Sequence, residues 1–98
     1  MVVFIIVAYD IRTDTKAGQR RLRKVAKICQ RIGQRVQKSV FEFQIDEVHY
    51  VQLVHQLRHV MHHADDNIRL YRLPSQPNDM ILQLGHGRAI DYSQPLIL

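Results

Sequence analysis

Acidic residues are missing from a long stretch of this chain. After Asp14 none appears until Glu42, while nine of the fourteen lysines and arginines lie in between. Tryptophan is absent and cysteine occurs once, as Cys29. One cysteine excludes an intrachain disulfide and a thiolate metal cluster. The longest apolar run stops at Tyr9, far short of the roughly 20 residues a membrane-spanning helix needs. No positively charged leader opens the chain, so a signal peptide is not expected and the location expected by default is cytoplasmic. With only four glycines and three prolines in 98 residues, there is no repeat, low-complexity tract or linker, and the length suits one domain. A domain this small buries a modest share of its surface, so completion of the core by a second copy is expected.

What is present begins with Val2-Val3-Phe4-Ile5-Ile6-Val7-Ala8-Tyr9, an apolar run ended by Asp10. A half-exposed strand would alternate, so this run reads as a strand covered on both faces. Its end holds a carboxylate on a rigid element at the lip of a core. Beside it lies the acid-free, cation-rich stretch. One fixed anionic group next to a field of cations suggests a metal-binding carboxylate beside a surface for a polyanion. The net charge of +5 and the isoelectric point near 9.8 agree, although the clustering argues more strongly than the total.

Arg12-Thr13-Asp14-Thr15 is a polar loop rich in helix-capping residues. Leu22, Val25, Ala26, Cys29 and Ile32 then recur at spacings of three and four and mark the buried stripe of a first helix. Gly33 suits its end, where a left-handed residue is commonly needed. Arg20, Arg21, Arg23, Lys24, Lys27 and Arg31 occupy its other faces. Arg35 to Ile45 is strand-like and carries no Asn-Gly or Asp-Gly turn; it reads either as one bent strand or, the preferred reading, as two short strands meeting near Lys38. Asp46 can cap a second helix running from Glu47 to about His63, with Val51, Val54, Leu57 and Met61 as its expected buried stripe and Val48 and Val60 close by. Ile68 to Leu73 alternates and reads as a half-exposed strand. Met80 to Leu84 reads as a further short strand, ended by Gly85 and Gly87, and the chain closes on an apolar tail, Pro95 to Leu98.

The order strand, helix, strand, strand, helix, strand predicts an α+β, ferredoxin-like βαββαβ domain. Right-handed crossovers put both helices on one face of the sheet. The first strand is apolar at both parities, so its other face needs a cover, and with no third helix a second copy's sheet is the natural one. The expected organisation is therefore a core over residues 1–78 and, over 79–98, an additional C-terminal strand and tail that dock on the partner subunit, two sheets packing face to face in a homodimer.

Tyr9-Asp10-Ile11, Arg21-Leu22-Arg23-Lys24-Val25-Ala26-Lys27, Gly33-Gln34-Arg35-Val36-Gln37-Lys38-Ser39-Val40-Phe41-Glu42 and Ile68-Arg69-Leu70-Tyr71-Arg72-Leu73 stand in the order found in a known family. Together, over nearly the whole chain, they resemble the small CRISPR-associated endonucleases, the universal adaptation subunit that partners the CRISPR integrase. The resemblance implies a symmetric ferredoxin-like homodimer in which the last strand of each protomer joins its partner's sheet. It implies that Asp10 faces its twin near the two-fold axis and that the pair binds a divalent ion, magnesium or alternatively manganese. It implies cleavage of single-stranded RNA or double-stranded DNA, and a scaffold role in which the dimer bridges integrase dimers and supports duplex DNA during spacer acquisition. Arg35 and Phe41 match positions near the family's active site, and Tyr9 adjoins it. The histidine-rich stretch from His55 to His63 departs from the family's usual lysines and glutamates.

The chemistry of such a site is coherent. Two facing carboxylates repel and favour protonation of one; a divalent cation relieves this, and magnesium takes oxygen ligands while keeping several waters. One carboxylate per subunit makes a weak site, so low affinity and slow turnover are expected. The cations of the first helix repel one another at spacings of three and four, and phosphates would neutralise them. Arg12, Lys16, Arg20, Arg21, Arg23, Lys24, Lys27, Arg31 and Lys38 are the expected nucleic-acid contacts, and the absence of aromatics among the helix cations favours backbone contact with duplex over base stacking. His55, His59, His62 and His63 have spacings that can bind zinc, but the glutamate of the zincin motif is missing and a solvated polar face is the expectation. Two rival functions stand beside the metal-dependent nuclease: a binding module without catalysis, and a solitary toxin-like endoribonuclease.

Overall fold

A computed structural model of the chain describes residues 2–74 and 80–86. The β-branched run forms β1 (Val2–Asp10). Thr15, in extended backbone, opens α1 (Lys16–Ile32) by accepting the Gly18 N–H at 3.0 Å, which satisfies one of the orphan donors of the first turn. β2 (Gln34–Gln37) and β3 (Val40–Asp46) follow, separated by a turn at Lys38 and Ser39, so the Arg35 to Ile45 segment is two strands. Asp46 caps α2 (Glu47–Val60), its carboxylate accepting the His49 N–H at 2.8 Å. β4 (Asn67–Leu73) ends the described core.

The four strands form one antiparallel sheet in the order β2-β3-β1-β4, which is the ferredoxin-like arrangement. β1 lies at the centre, with Ile5 opposite Phe43 on one side and Arg72 on the other. Strand side chains alternate between faces. Val3, Ile5, Val7 and Tyr9 therefore share the helix side with Phe41, Phe43 and Ile45, and they pack with Val25 and Cys29 of α1 and Leu53 and Leu57 of α2 into one core.

Several expectations need correction. Gly33 ends α1 with a φ of −105°, not in the left-handed region. Its smallness is required for a different reason: a Cβ there would lie 2.5 Å from the Phe43 ring. Smallness is also required at Gly18, where a Cβ would run into the Arg12 carbonyl. In α2 the buried stripe is Tyr50, Leu53, Leu57 and Val60, and Val48 and Val51 stay exposed. Both sets have helical spacing, but the observed one puts two leucines and an aromatic ring against the core, which buries more apolar area. Met80 to Leu84 forms no strand in the single chain, and its apolar side chains are exposed; a strand there has no neighbour to supply its ladder among the described residues. The boundary near residue 78 and the tail from Pro95 to Leu98 lie outside the described residues.

The sheet face opposite the helices carries Val2, Phe4, Ile6, Ala8 and Asp10 from β1, Val40, Glu42 and Gln44 from β3, and Asn67, Arg69, Tyr71 and Leu73 from β4. Phe4 is buried while Val2 and Tyr71 are exposed. The side-chain oxygen of Gln44 is buried on this face with no hydrogen-bond donor among the described residues, so the face is apolar but not uniformly so.

Candidate functional site at the end of the first strand

Asp10 is the last residue of β1 and is exposed. It pairs in register with Asn67 at the start of β4. Its side chain makes no ion pair or hydrogen bond among the described residues. A carboxylate carried by a rigid strand end and left without a cation of its own keeps its oxygens available for a ligand.

The backbone around it is fixed by a residue that motif reading missed. The Asp66 side chain is wholly buried. One of its oxygens accepts the backbone N–H of Arg12 at 3.1 Å and an N–H of the Arg21 guanidinium at 3.3 Å. The other accepts Arg21 Nε–H at 2.8 Å and the His62 N–H at 2.9 Å. One carboxylate thus ties the loop after Asp10, helix α1 and the turn before β4. Burial acts to raise its pKa, but the bond from Arg21 and then the amides of His62 and Arg12 outweigh that, and the net shift is downward. The signal in the sequence was slight: two aspartates between a helix and a strand read simply as turn residues.

The expected nucleic-acid residues divide. At about 100° per residue, Lys16, Arg20, Arg23, Lys24, Lys27 and Arg31 fall within one stripe along α1, and all six are exposed. The helix is about 25 Å long, and none of the six has a carboxylate partner among the described residues. Arg21 falls outside this stripe, beside the buried face, and is committed to Asp66 with its side chain only 17 % exposed. Arg12 is exposed but held by Asp14 at 2.9 Å and Asp65 at 3.3 Å. Lys38 is exposed in the β2–β3 turn.

The neighbours suggested for Asp10 lie on the other side of the sheet. Tyr9 and Phe41 are buried on the helix face with stacked rings 6.1 Å apart, and the Tyr9 hydroxyl donates to the Lys38 carbonyl at 3.5 Å. Arg35 is exposed, and its guanidinium lies 5.0 Å from the Phe41 ring centre. These residues support the strand; they do not share a face with Asp10. His55, His59, His62 and His63 are exposed, and no group of three or more His, Cys, Asp or Glu among the described residues is arranged to hold a metal ion. The donor chemistry at Asp10 fits magnesium better than zinc, because magnesium binds through one or two carboxylates and fills its shell with water and phosphate oxygens.

A four-stranded antiparallel sheet with two helices on one face, an exposed strand-end carboxylate and a cationic helix makes up a small ferredoxin-like α+β domain. Comparison with known proteins gives the family. The profile of the family described as CRISPR associated protein Cas2 matches residues 1–81. A CRISPR-associated endoribonuclease Cas2 of Moorella thermoacetica is 43% identical over 96 residues, 98% of this chain and 100% of the relative. A CRISPR-associated endonuclease Cas2 of Halalkalibacterium halodurans is 38% identical over 95 residues, 97% of this chain and 99% of the relative. The crystal structure of Streptococcus pyogenes Cas2 at pH 6.5 superposes with a TM-score of 0.75 at 40% identity, covering 84% of this chain and 99% of that one. The chain belongs to the Cas2 family of CRISPR-associated nucleases. No helix among the described residues is long and apolar enough to cross a membrane.

Proposed function

We infer that this chain is a CRISPR adaptation protein: a homodimer that holds duplex DNA by its phosphates during spacer acquisition, partners the CRISPR integrase and carries a magnesium-dependent phosphodiesterase centre at paired Asp10 residues. The observation that carries the reading is Asp10 itself, exposed and without a cation partner among the described residues, on the sheet face that lacks helices. That face, with Val2 and Tyr71 exposed, is the one a second copy would cover, and a two-fold axis near its end would bring two such carboxylates together. The six-cation stripe on α1 supports phosphate contact, since lysine and arginine displace counterions from a duplex irrespective of its sequence.

Magnesium, when bound, would lower the pKa of a coordinated water and offset charge on the phosphate. The residues of the chain have separate tasks. Asp10 would hold the ion from a strand end steadied by Asp66, which accepts the Arg12 N–H of the loop that follows. The α1 stripe binds the backbone on the helix layer and does not discriminate among bases. Manganese would fit the same oxygen donors. Single-stranded RNA and duplex DNA both present the required phosphodiester.

A binding module without catalysis is the second reading. It is favoured by the single carboxylate per chain and by the lack of a three-donor cluster among the described residues. Cleavage assays of wild type and Asp10→Ala on single-stranded RNA and duplex DNA, with and without magnesium, separate the two. The nuclease reading expects cleavage that needs both Asp10 and the metal; a scaffold alone expects none from clean protein.

A further inference from the structure

We propose that Arg69 is the phosphate-stabilising catalytic residue at the Asp10 centre. The inference rests on the reading of Asp10 as the metal-binding carboxylate and assigns the cation that reading needs. Phosphodiester hydrolysis builds negative charge on the non-bridging oxygens, and a positioned guanidinium can answer it with two parallel hydrogen bonds.

The register selects the residue. Asp10 pairs with Asn67 and Ala8 with Arg69, so Arg69 lies on the same sheet face as Asp10, diagonally across one strand boundary. Such diagonal positions are about 7–8 Å apart, within reach of a long side chain. Four other arginines among the described residues packed around the sheet are engaged elsewhere. Arg12 is held by Asp14 and Asp65. Arg21 is held by Asp66. Arg35 lies against Phe41 on the helix side. Arg72, also on the helix side, pairs with Glu47 and lies over Tyr50.

Arg69 is exposed and has no carboxylate partner among the described residues. Although diagonal to Asp10, it forms no ion pair with it. Its guanidinium lies 5.3 Å from the centre of the Tyr71 ring instead, a cation–π contact that orients the planar group at little cost. Carboxylate and guanidinium are thus held on one face without closing on each other. Lys38, another described cation near this end, is a point charge on a turn and lacks the guanidinium's fork.

The reaction balances without a further reactant. The oxygen of water bonds to phosphorus as the bridging P–O bond breaks. One proton of the water goes to the leaving oxygen and the other stays with the phosphate monoester. Arg69 remains protonated throughout and contributes only charge and hydrogen bonds.

The test compares wild type, Arg69→Gln, Arg69→Lys and Asp10→Ala as full chains, checked for equal oligomeric state. Arg69→Gln should lower kcat about 100-fold while KM, the magnesium concentration for half-maximal rate and duplex affinity move less than about threefold. Arg69→Lys should restore part of the loss. In magnesium-free wild type, phenylglyoxal adducts mapped by mass spectrometry should include Arg69, and the nucleic acid that is cleaved should protect it. Unchanged kcat in Arg69→Gln beside an inactive Asp10→Ala overturns the role of Arg69 and leaves the nuclease reading intact. A rise in KM with kcat unchanged makes Arg69 an ordinary backbone contact and also overturns it. Full cleavage by Asp10→Ala overturns both, and absent protection overturns the contact even if a variant misfolds.

Discussion

Arg21 and Asp66 form a partly buried ion pair at 2.8 Å that joins helix α1 to the turn before β4. Asp66 also receives the backbone N–H groups of Arg12 and His62. The pair is therefore part of the frame under Asp10, and it removes one arginine from the cationic surface. Asp66→Asn should destabilise the fold by about 2 kcal/mol, because hydrogen bonds to a buried charge are worth more than neutral ones and the isostere leaves donors facing donors. Urea denaturation at pH 7 measures this.

The same residue sets a pH dependence. Its pKa is depressed in the folded state, so its contribution to stability is fully present above the unfolded carboxyl value of about 3.9 and is lost as pH falls through the folded value. The stability gap between wild type and Asp66→Asn should stay constant from pH 7 to about 5 and then close as acid is added below about 4. A gap that widens in acid contradicts the assignment.

On the nucleic-acid side, Lys24→Glu with Lys27→Glu should weaken duplex binding on any sequence and lower the slope of log affinity against log salt by about 2. Arg21→Gln should leave that slope unchanged and cost stability instead. Fluorescence anisotropy over a salt series separates the two behaviours. Equal loss of slope in both variants would return Arg21 to the binding surface.

How much of this was legible in the sequence differs by element. β1 follows from its unbroken apolar run and the α1 stripe from its helical spacing, and the break near Lys38 follows from the need for two strands. The error in α2 arose because Val48, Val51, Tyr50, Leu53 and Leu57 offer two helical stripes; the choice falls to the one that buries more apolar area against the sheet. Arg21 could have been set apart from the other cations by its angular position on α1. Asp66 could not, since its role depends on three segments that only the fold brings together. Nor could Arg69 be placed on Asp10's face before the β1–β4 register was known.

The α2 orientation is itself testable. Leu53 is 2 % exposed and Val51 62 %. Leu53→Ala should cost about 2–5 kcal/mol, and Val51→Ala should stay within about 0.5 kcal/mol. Comparable losses would mean the helix is rotated.

Cys29 gives a probe of the whole core. It is fully buried, and burial pushes its thiol up to about 12, opposed weakly by Arg35. At pH 8 its thiolate fraction is on the order of a thousand-fold below that of an unfolded cysteine. Iodoacetamide labelling should therefore be negligible in native protein and should track unfolding across a denaturant series. Rapid labelling of folded protein would contradict the packing of α1 on the sheet.

The central claim is that Asp10 supplies the metal-binding carboxylate of a phosphodiesterase. Its most direct test is cleavage of single-stranded RNA and duplex DNA by purified Asp10→Ala and wild type, across a magnesium titration, with duplex affinity measured on the same samples. Wild type should cleave at a rate that rises with magnesium, the variant should not cleave, and duplex affinity should be equal or slightly higher in the variant through removal of a negative charge. Cleavage by Asp10→Ala at the wild-type rate, with the same magnesium dependence, would contradict the claim.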